Sequence, residues 1–351
     1  MTQTQHDEQK RRALDPERVY GRGILAEESA SWGPYLLITQ HEPWAAAQTM
    51  LDVAPERVVM VRTMERAAVD SLAAELPDDL AIVGLGGGMA MDMAKYAAWK
   101  KGGEPILMPS IASVDACVTN SVAVREDGRV RYVGFGVAKR LVIDYALVGT
   151  APKALNRAGI GDILSIHTGC WDWRLAADKG EVVYDAAIAD AALAWVAELE
   201  ARADSIREVS DEAIRWLFEA YVGENALCLQ VGHSRPEEGS EHFVAYCVEH
   251  LTGRTFVHGE LVCLGVLLMS RLQDNRPEWV QQLLGATAVR YQPVDLGLSR
   301  EVMQEALLRL HAYVVDEGLE YSIAHVAPLD EDTVARLLDG LRFATEADSQ
   351  T

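Results

Sequence analysis

The chain has 351 residues, 49% of them hydrophobic, and is therefore long enough for two domains that each bury a core of their own. Its formal net charge of −21 and its pI of about 4.8 argue against nucleic acid or an anionic membrane surface as a partner, because like charges repel. No apolar run reaches the roughly 18 residues of a membrane span, and no apolar segment follows the first charged residues, so we expect neither a span nor a signal peptide and a cytoplasmic location.

The first part of the chain alternates apolar runs with helical patterns. Residues 1–15 are polar and predict a disordered tail. The run PYLLIT at residues 34–39 predicts the first strand of the fold, and a helix at 43–51 and a strand at 58–61 follow. We therefore predict an α/β nucleotide-binding domain over residues 16–151.

A glycine-rich turn separates a predicted strand at residues 81–83 from a predicted helix at residues 89–99. Gly86, Gly87 and Gly88 lie between them. Glycine allows positive φ and has no Cβ, so the first amides of the helix can contact an anion, and a pyrophosphate is the natural ligand. The turn lacks the third glycine of the dinucleotide-binding fingerprint, and a tight turn without a ligand is the alternative.

Polar residues follow the glycine turn at two places. Asp92 and Lys95 lie one helical turn apart, and taken alone they predict a surface ion pair that stabilises by less than ~1 kcal/mol. Ser110, Ser113 and Asp115 come after the next predicted strand, where α/β folds keep their ligand contacts. A hydrogen-bonded turn explains this second group equally well.

The chain becomes almost wholly helical by periodicity after Pro152. Its clearest helices are predicted at residues 186–201, 211–229 and 301–315. We therefore predict an all-α domain over residues 152–351, and the resemblance described below implies that this domain binds metal and substrate. The apolar content of this helical half favours a homo-oligomer.

Three residues of the second half combine carboxylate and imidazole chemistry. Asp162 is predicted just inside a helix, His242 at a helix start, and His258 before a strongly apolar helix. One carboxylate and two imidazoles suit zinc, and also Fe(II), Ni or Mn, with positions left open for substrate or water. Each residue taken alone also fits a helix cap or a core position, and sequence separation does not show whether the three meet.

Two strings of the first half resemble a known superfamily. GGGMAMDMAK from Gly86 resembles the GGG-x-x-x-D-x-A-K signature shared by iron-containing alcohol dehydrogenases, glycerol dehydrogenase, sn-glycerol-1-phosphate dehydrogenase and dehydroquinate synthase. PSIASVDA from Pro109 resembles P-T-x-x-S-x-D-G, with Ser110 for Thr and Ala116 for Gly. The resemblance implies that NAD or NADP binds here and that Asp115 contacts substrate. The implied cofactor-binding residues are Gly86, Gly87, Gly88, Asp92, Ser110 and Ser113.

Strings of the second half are similar to the sn-glycerol-1-phosphate dehydrogenase branch of that superfamily. The strings are Asp172-Trp173, Ser234-Arg235-Pro236, Gly239-Ser240-Glu241-His242 and His258-Gly259-Glu260. The resemblance implies that Asp162, His242 and His258 hold one divalent metal ion, zinc in the first place and iron or nickel otherwise. Ile166 stands where iron-type alcohol dehydrogenases carry a further His. His233 and His250 are expected to be structural.

The function implied by this resemblance is a metal-dependent NAD(P)-linked oxidoreductase for a small polyol or polyol phosphate and its ketone, with sn-glycerol 1-phosphate and glycerone phosphate first. Glu237 and Glu238 stand where the branch has small residues. They would repel a phosphate if they face the pocket, but they are harmless as solvated loop charges. One alternative is an alcohol dehydrogenase or carbonyl reductase with a non-phosphorylated substrate, and another is a dehydroquinate synthase-like cyclase. Gln40 follows the first predicted strand as a loop residue and leaves the choice between NAD and NADP open.

Overall fold

The computed structural model of the chain describes residues 13–345, so most of the tail predicted at residues 1–15 lies outside the described residues. The chain divides into two compact units. Unit 1 runs to Asn156 and also contains Val209–Ala226, and unit 2 contains Arg157–Glu208 and the chain from Leu227. The predicted boundary after residue 151 lies just before this division. The prediction assigned Val209–Ala226 to the second domain, whereas its contacts place it in unit 1, where the Tyr221 hydroxyl donates to the carbonyl of Ala112 at 3.1 Å.

Unit 1 is built on a parallel sheet. In chain order the strands are β1 (Arg18–Gly21), β2 (Tyr35–Thr39), β3 (Arg57–Met60), β4 (Ala81–Gly86), β5 (Ile106–Pro109), β6 (Val122–Glu126), β7 (Arg129–Val133) and β8 (Arg140–Asp144). Six of them lie parallel in the order β1-β8-β5-β4-β2-β3, and β6 pairs with β7 as an antiparallel ribbon. The run at residues 34–39 is therefore the second strand and not the first. The short, half-buried strand β1 precedes β2 and lies at the edge of the sheet. The sequence did not indicate β1 because its arginine and glycine leave too few consecutive apolar residues.

Helices connect the parallel strands of unit 1, and a short helix follows β8. They are α1 (Leu25–Ala30), α2 (His41–Ala47), α3 (Arg66–Glu75), α4 (Gly88–Lys100) and α5 (Tyr145–Val148). The predicted helix at 43–51 is too long, because residues 48–50 form turns. Leu37, Val83, Met108 and Val142, from four strands of the sheet, lie in one buried apolar cluster. In addition, β2 and β5 are buried at every position and therefore on both faces, which is typical of a parallel sheet covered by helices.

The rest of the chain is helical. Its helices are α6 (Lys153–Arg157), α7 (Ile160–Asp178), α8 (Ala186–Ala201), α9 (Ala203–Glu208), α10 (Asp211–Val231), α11 (Ser240–Thr252), α12 (His258–Leu272), α13 (Pro277–Thr287), α14 (Arg300–Asp316) and α15 (Glu331–Leu337). In unit 2, α7 is buried along most of its length and packs against α11 and α12. Between residues 13 and 345, no helix combines the length and the apolar character that a membrane crossing requires. The predicted architecture, a parallel α/β part followed by a helical part, is confirmed.

Candidate cofactor turn and metal centre

The glycine turn lies at a switch point of the sheet. β2 and β4 are neighbours, but the chain leaves β2 towards β3 on one side and leaves β4 towards β5 on the other. A crevice forms at the carboxyl ends of two such strands, where open α/β sheets bind their ligands. Gln40 follows β2 and Gly86 ends β4, so both residues border this crevice.

The glycines of the turn leave no room for side chains. Gly86 has φ of +151°, and a Cβ there would lie 2.7 Å from the Cβ of Ala90. A Cβ on Gly87 would lie 2.9 Å from the side chain of Ile111. Helix α4 begins at Gly88, and its N-cap residue Gly87 has no side chain to cap the first amides, so these donors are placed to bind an anion.

The side chain of Gln40 lies next to the glycine turn, a position that the sequence did not indicate. It was predicted as a loop residue, and the structure makes it the N-cap of α2. Its Oε1 lies 3.5 Å from the position of a Cβ on Gly86, and its Nε2 lies 4.0 Å from the sulfur of Met89. The only signal in the sequence is its position directly after a buried strand.

The serine loop lies next to the glycine turn. Gly86 of β4 and Pro109 of β5 are opposite each other in the sheet, and the amide of Ser110 donates to the carbonyl of Gly86 at 2.8 Å. Ser110, Ser113 and Asp115 are all buried, with 5%, 6% and 6% of their surface exposed. Unit 1 thus brings the predicted cofactor residues of the turn and the loop together.

Asp92 and Lys95 form a buried ion pair, so the interpretation as a surface pair is wrong. The Lys95 ammonium is fully buried and lies 2.9 Å from Oδ1 of Asp92. It also donates to the carbonyls of Thr119 at 2.9 Å and Ser121 at 2.8 Å. Burial raises the pKa of Asp92, and the charge of Lys95 opposes this rise. Lys95 therefore holds residues 119–121 against α4 through these two hydrogen bonds.

The starts of three helices in unit 2 bring the predicted metal ligands together. Asp162 lies in the first turn of α7, His242 in the first turn of α11, and His258 is the first residue of α12. One ligand atom of each residue lies within 4.8 Å of the others, and Nε2 of His258 is 3.3 Å from Oδ1 of Asp162. Asp162 and His242 are buried, whereas the His258 side chain is 32% exposed. The cluster is thus reachable from the side of His258.

Carboxylates surround His242. Its Nδ1 lies 2.9 Å from Oε1 of Glu241, and the Tyr246 hydroxyl, one turn along α11, donates to Glu238 at 2.9 Å. Burial alone would lower the pKa of His242, but the hydrogen bond with Glu241 and the charges of Glu238 and Asp162 outweigh it and raise this pKa to about 10. The carboxylates of Glu241, Glu238 and Asp162 around one imidazole make the site rich in electron-pair donors, which fits a cation.

Glu237 and Glu238 are half-buried and are not freely solvated loop charges. The other histidines mentioned above lie outside the ligand cluster. His233 packs edge-on against Trp173, and His250 packs against Tyr313. That these two histidines are structural stays a prediction.

Sequence reasoning missed several residues around the cluster. Glu241 and Glu260 were quoted only as parts of motifs, and no role was assigned to Thr168. The Thr168 hydroxyl donates to Oε2 of Glu241 at 2.7 Å. The buried Glu260, two residues after His258, pairs with Arg290 at 2.6 Å. A carboxylate directly before a histidine was the one available signal, because a nearby acid often orients a metal-binding imidazole.

The fold and the site define a class of two-part proteins, in which a parallel sheet carries a glycine turn and a helical part carries an Asp/His/His cluster. Residues 40–152 match the family model described as iron-containing alcohol dehydrogenase. A glycerol-1-phosphate dehydrogenase (NAD(P)+) of Hyperthermus butylicus is 31% identical over 231 residues, which are 66% of this chain and 66% of that protein. The chain belongs to the iron-containing alcohol dehydrogenase family.

Other comparisons agree with this family. The glycerol-1-phosphate dehydrogenase (NAD(P)+) of Aeropyrum pernix is 28% identical over 251 residues, 72% of this chain and 70% of that protein. The crystal structure of glycerol dehydrogenase from Schizosaccharomyces pombe superposes with a TM-score of 0.68 at 20% identity, covering 95% of this chain and 94% of that one. A probable glycerol dehydrogenase from Sinorhizobium meliloti gives a TM-score of 0.69 at 18% identity, over 92% and 96% of the two chains. At these identities the structural matches establish the fold.

Proposed function

We propose that the chain is a metal-dependent NAD(P)-linked dehydrogenase that interconverts sn-glycerol 1-phosphate and glycerone phosphate. The observation that carries the proposal is the Asp/His/His cluster at three helix starts, with ligand atoms within 4.8 Å of one another. Two curated relatives described above act, by their names, on glycerol 1-phosphate with NAD(P)+. The substrate and the cofactor of this chain are inferred from them.

The residues present fit a divalent metal ion and a dinucleotide. Asp162, His242 and His258 offer one oxygen and two nitrogens, and we propose zinc because such a set with open positions suits this metal. Gly86 and Gly87 leave a cradle that a Cβ would fill. The bound groups would supply a Lewis acid for the substrate oxygen and a carrier for the hydride.

The chain's own residues position the reactants in this proposal. The uncapped amides at the start of α4 bind the pyrophosphate of NAD(P), and Ser110 and Ser113 bind the cofactor beside it. Asp115 accepts a hydrogen bond from the substrate hydroxyl next to the reacting carbon. Holding both reactants in one geometry removes much of the entropic part of the barrier.

A second candidate substrate is a hydroxyketone without phosphate. Glu238 favours this substrate. Its half-buried carboxylate accepts a hydrogen bond from the Tyr246 hydroxyl, and its negative charge raises the pKa of His242. Arg235, the cation of the same segment, is already paired with Glu320 at 3.2 Å. A phosphate beside Glu238 would meet negative charge, whereas an unphosphorylated hydroxyketone would not.

The proposal is tested by NADH and NADPH oxidation with glycerone phosphate and, in parallel, with dihydroxyacetone, using protein saturated with Zn²⁺. A higher kcat/KM for the phosphate supports the first candidate, and a higher value for dihydroxyacetone supports the second. The variants His242→Ala and His258→Ala should lose both bound zinc and turnover. Full activity in either variant would contradict the metal centre.

A further inference from the structure

A chain of buried hydrogen bonds leads from α7 to the metal cluster. The Thr168 hydroxyl donates to Oε2 of Glu241 at 2.7 Å, and the other oxygen of Glu241 lies 2.9 Å from Nδ1 of His242. The Gly239 amide donates to this second oxygen at 2.6 Å. Thr168 and Glu241 have no exposed surface at all. All four residues belong to unit 2.

The direction of these bonds determines which imidazole nitrogen faces the cluster. An ionised carboxylate only accepts hydrogen bonds, so Nδ1 of His242 donates to Glu241. Nε2 is then the ring nitrogen left to bind a metal ion. The hydrogen bond also fixes the plane of the ring, because Glu241 is held in turn by Thr168 and Gly239.

We propose that Thr168 and Glu241 are positioning residues that hold His242 in the metal-binding orientation and thereby set the affinity of the site. This inference rests on the metal centre proposed above. Thr168 lies on the same helix as Asp162, so α7 provides one ligand directly and orients a second through Glu241. Removal of the Thr168 hydroxyl leaves a buried carboxylate oxygen without its donor, so that Glu241 is held only through its other oxygen, by Gly239 and His242.

The test is the affinity for Zn²⁺, measured by competition with a chromophoric chelator on the metal-free protein. Thr168→Val keeps the shape of the side chain and removes the hydroxyl. We expect zinc to bind about 10-fold to 100-fold more weakly, the range typical of such outer contacts. Thr168→Ser restores the hydroxyl and should restore the affinity.

Thr287→Val is the matched control. Thr287 is also fully buried in unit 2, but its hydroxyl donates to carbonyls of its own helix, those of Leu283 and Leu284, at 3.0 and 3.2 Å. This variant loses the same hydroxyl in the same kind of environment and should keep wild-type zinc affinity. If Thr168→Val does not fold, Glu241→Gln provides the same comparison, because it removes the charge with little change in shape.

Three results overturn the proposal while leaving the metal centre intact. They are a Thr168→Val affinity within twofold of wild type, an equal loss in Thr287→Val, and a failure of Thr168→Ser to recover binding. A wild-type protein that binds no Zn²⁺ overturns the metal centre as well. The two failures are therefore distinguished without any assay of activity.

Discussion

Gly161 packs directly against Gly259: a Cβ on Gly161 would lie 2.6 Å from both the Cα and the carbonyl oxygen of Gly259. Gly161 precedes Asp162 on α7, and Gly259 follows His258 on α12. Because neither glycine has a side chain, the two helix starts approach closely enough for Nε2 of His258 to lie 3.3 Å from Oδ1 of Asp162. The geometry of the cluster thus depends on two residues that carry no functional group.

Gly161→Ala should separate the two helix starts. The added methyl meets backbone atoms, which cannot rotate away, so one helix must shift. We expect a loss of stability of about 1 to 3 kcal/mol, the usual cost of overpacking, and at least a tenfold weaker affinity for Zn²⁺. Urea unfolding of the metal-free protein and chelator competition measure the two effects separately.

Gly285→Ala is the control for this variant. Gly285 also lies in a helix of unit 2, but a Cβ there would meet nothing within 4 Å. Its replacement should be neutral or should stabilise the helix by up to ~1 kcal/mol, with unchanged zinc affinity. Unchanged zinc affinity in Gly161→Ala would contradict the proposed importance of this contact.

The sequence predicted those parts of the molecule that depend on local pattern. Apolar runs located most strands of the sheet, and periodicity gave the helix at residues 186–201 with the bounds that the structure shows. The three ligand positions came from the family resemblance, because separation in sequence says nothing about distance in space. Patterns within one helix or strand were sufficient wherever the relevant contacts were local.

Burial and long-range contacts were beyond these patterns. Asp92 and Lys95 have the same spacing whether a pair is on the surface or in a core, and only the packing of residues 119–121 over α4 decides between them. Likewise, the amphipathic pattern of Val209–Ala226 predicts a helix without predicting the unit that it joins. Thr168 contacts Glu241 across 73 residues of sequence, a contact that no local signal predicts.

Lys95→Met should destabilise unit 1. It leaves the Asp92 carboxylate buried without its counter-charge and removes the donor for the carbonyls of Thr119 and Ser121. Breaking a buried ion pair in this way costs about 3 to 5 kcal/mol. Urea unfolding, followed by circular dichroism, measures the change.

Two further variants check this explanation. Lys100→Met removes a lysine from the same helix whose side chain is 39% exposed and pairs with Asp70 at 3.1 Å, and it should cost far less stability than Lys95→Met because solvent screens this pair. Asp92→Asn combined with Lys95→Met removes the unpaired charge and should recover part of the lost stability. A double variant as unstable as Lys95→Met would show that the charge of Asp92 is not the cause.

Gly86→Ala should weaken the binding of the dinucleotide. Its φ of +151° is one that L side chains rarely adopt, and the new methyl would meet Ala90. We expect the Kd for NADH to rise at least tenfold, measured by fluorescence titration. Gly103→Ala, a loop glycine of unit 1 with no atom closer than 3.9 Å to the added Cβ, should leave this Kd unchanged.

Metal binding should release a proton from His242. In the metal-free protein the surrounding carboxylates raise the pKa of His242 to about 10, so the imidazole is charged at neutral pH and its Nε2 carries a proton. A metal ion at Nε2 replaces that proton, and binding therefore becomes stronger as the pH rises towards this pKa. Between about pH 7 and pH 9 the affinity for Zn²⁺ should increase about tenfold per pH unit.

Calorimetry in buffers of different ionisation enthalpy should show the release of about one proton from this site. Glu241→Gln removes the hydrogen bond to a charged acceptor and should lower the pKa of His242, so that less than one proton is released at the upper end of this range. An affinity independent of pH, with no proton released by the wild-type protein, would mean that His242 is already neutral in the metal-free site.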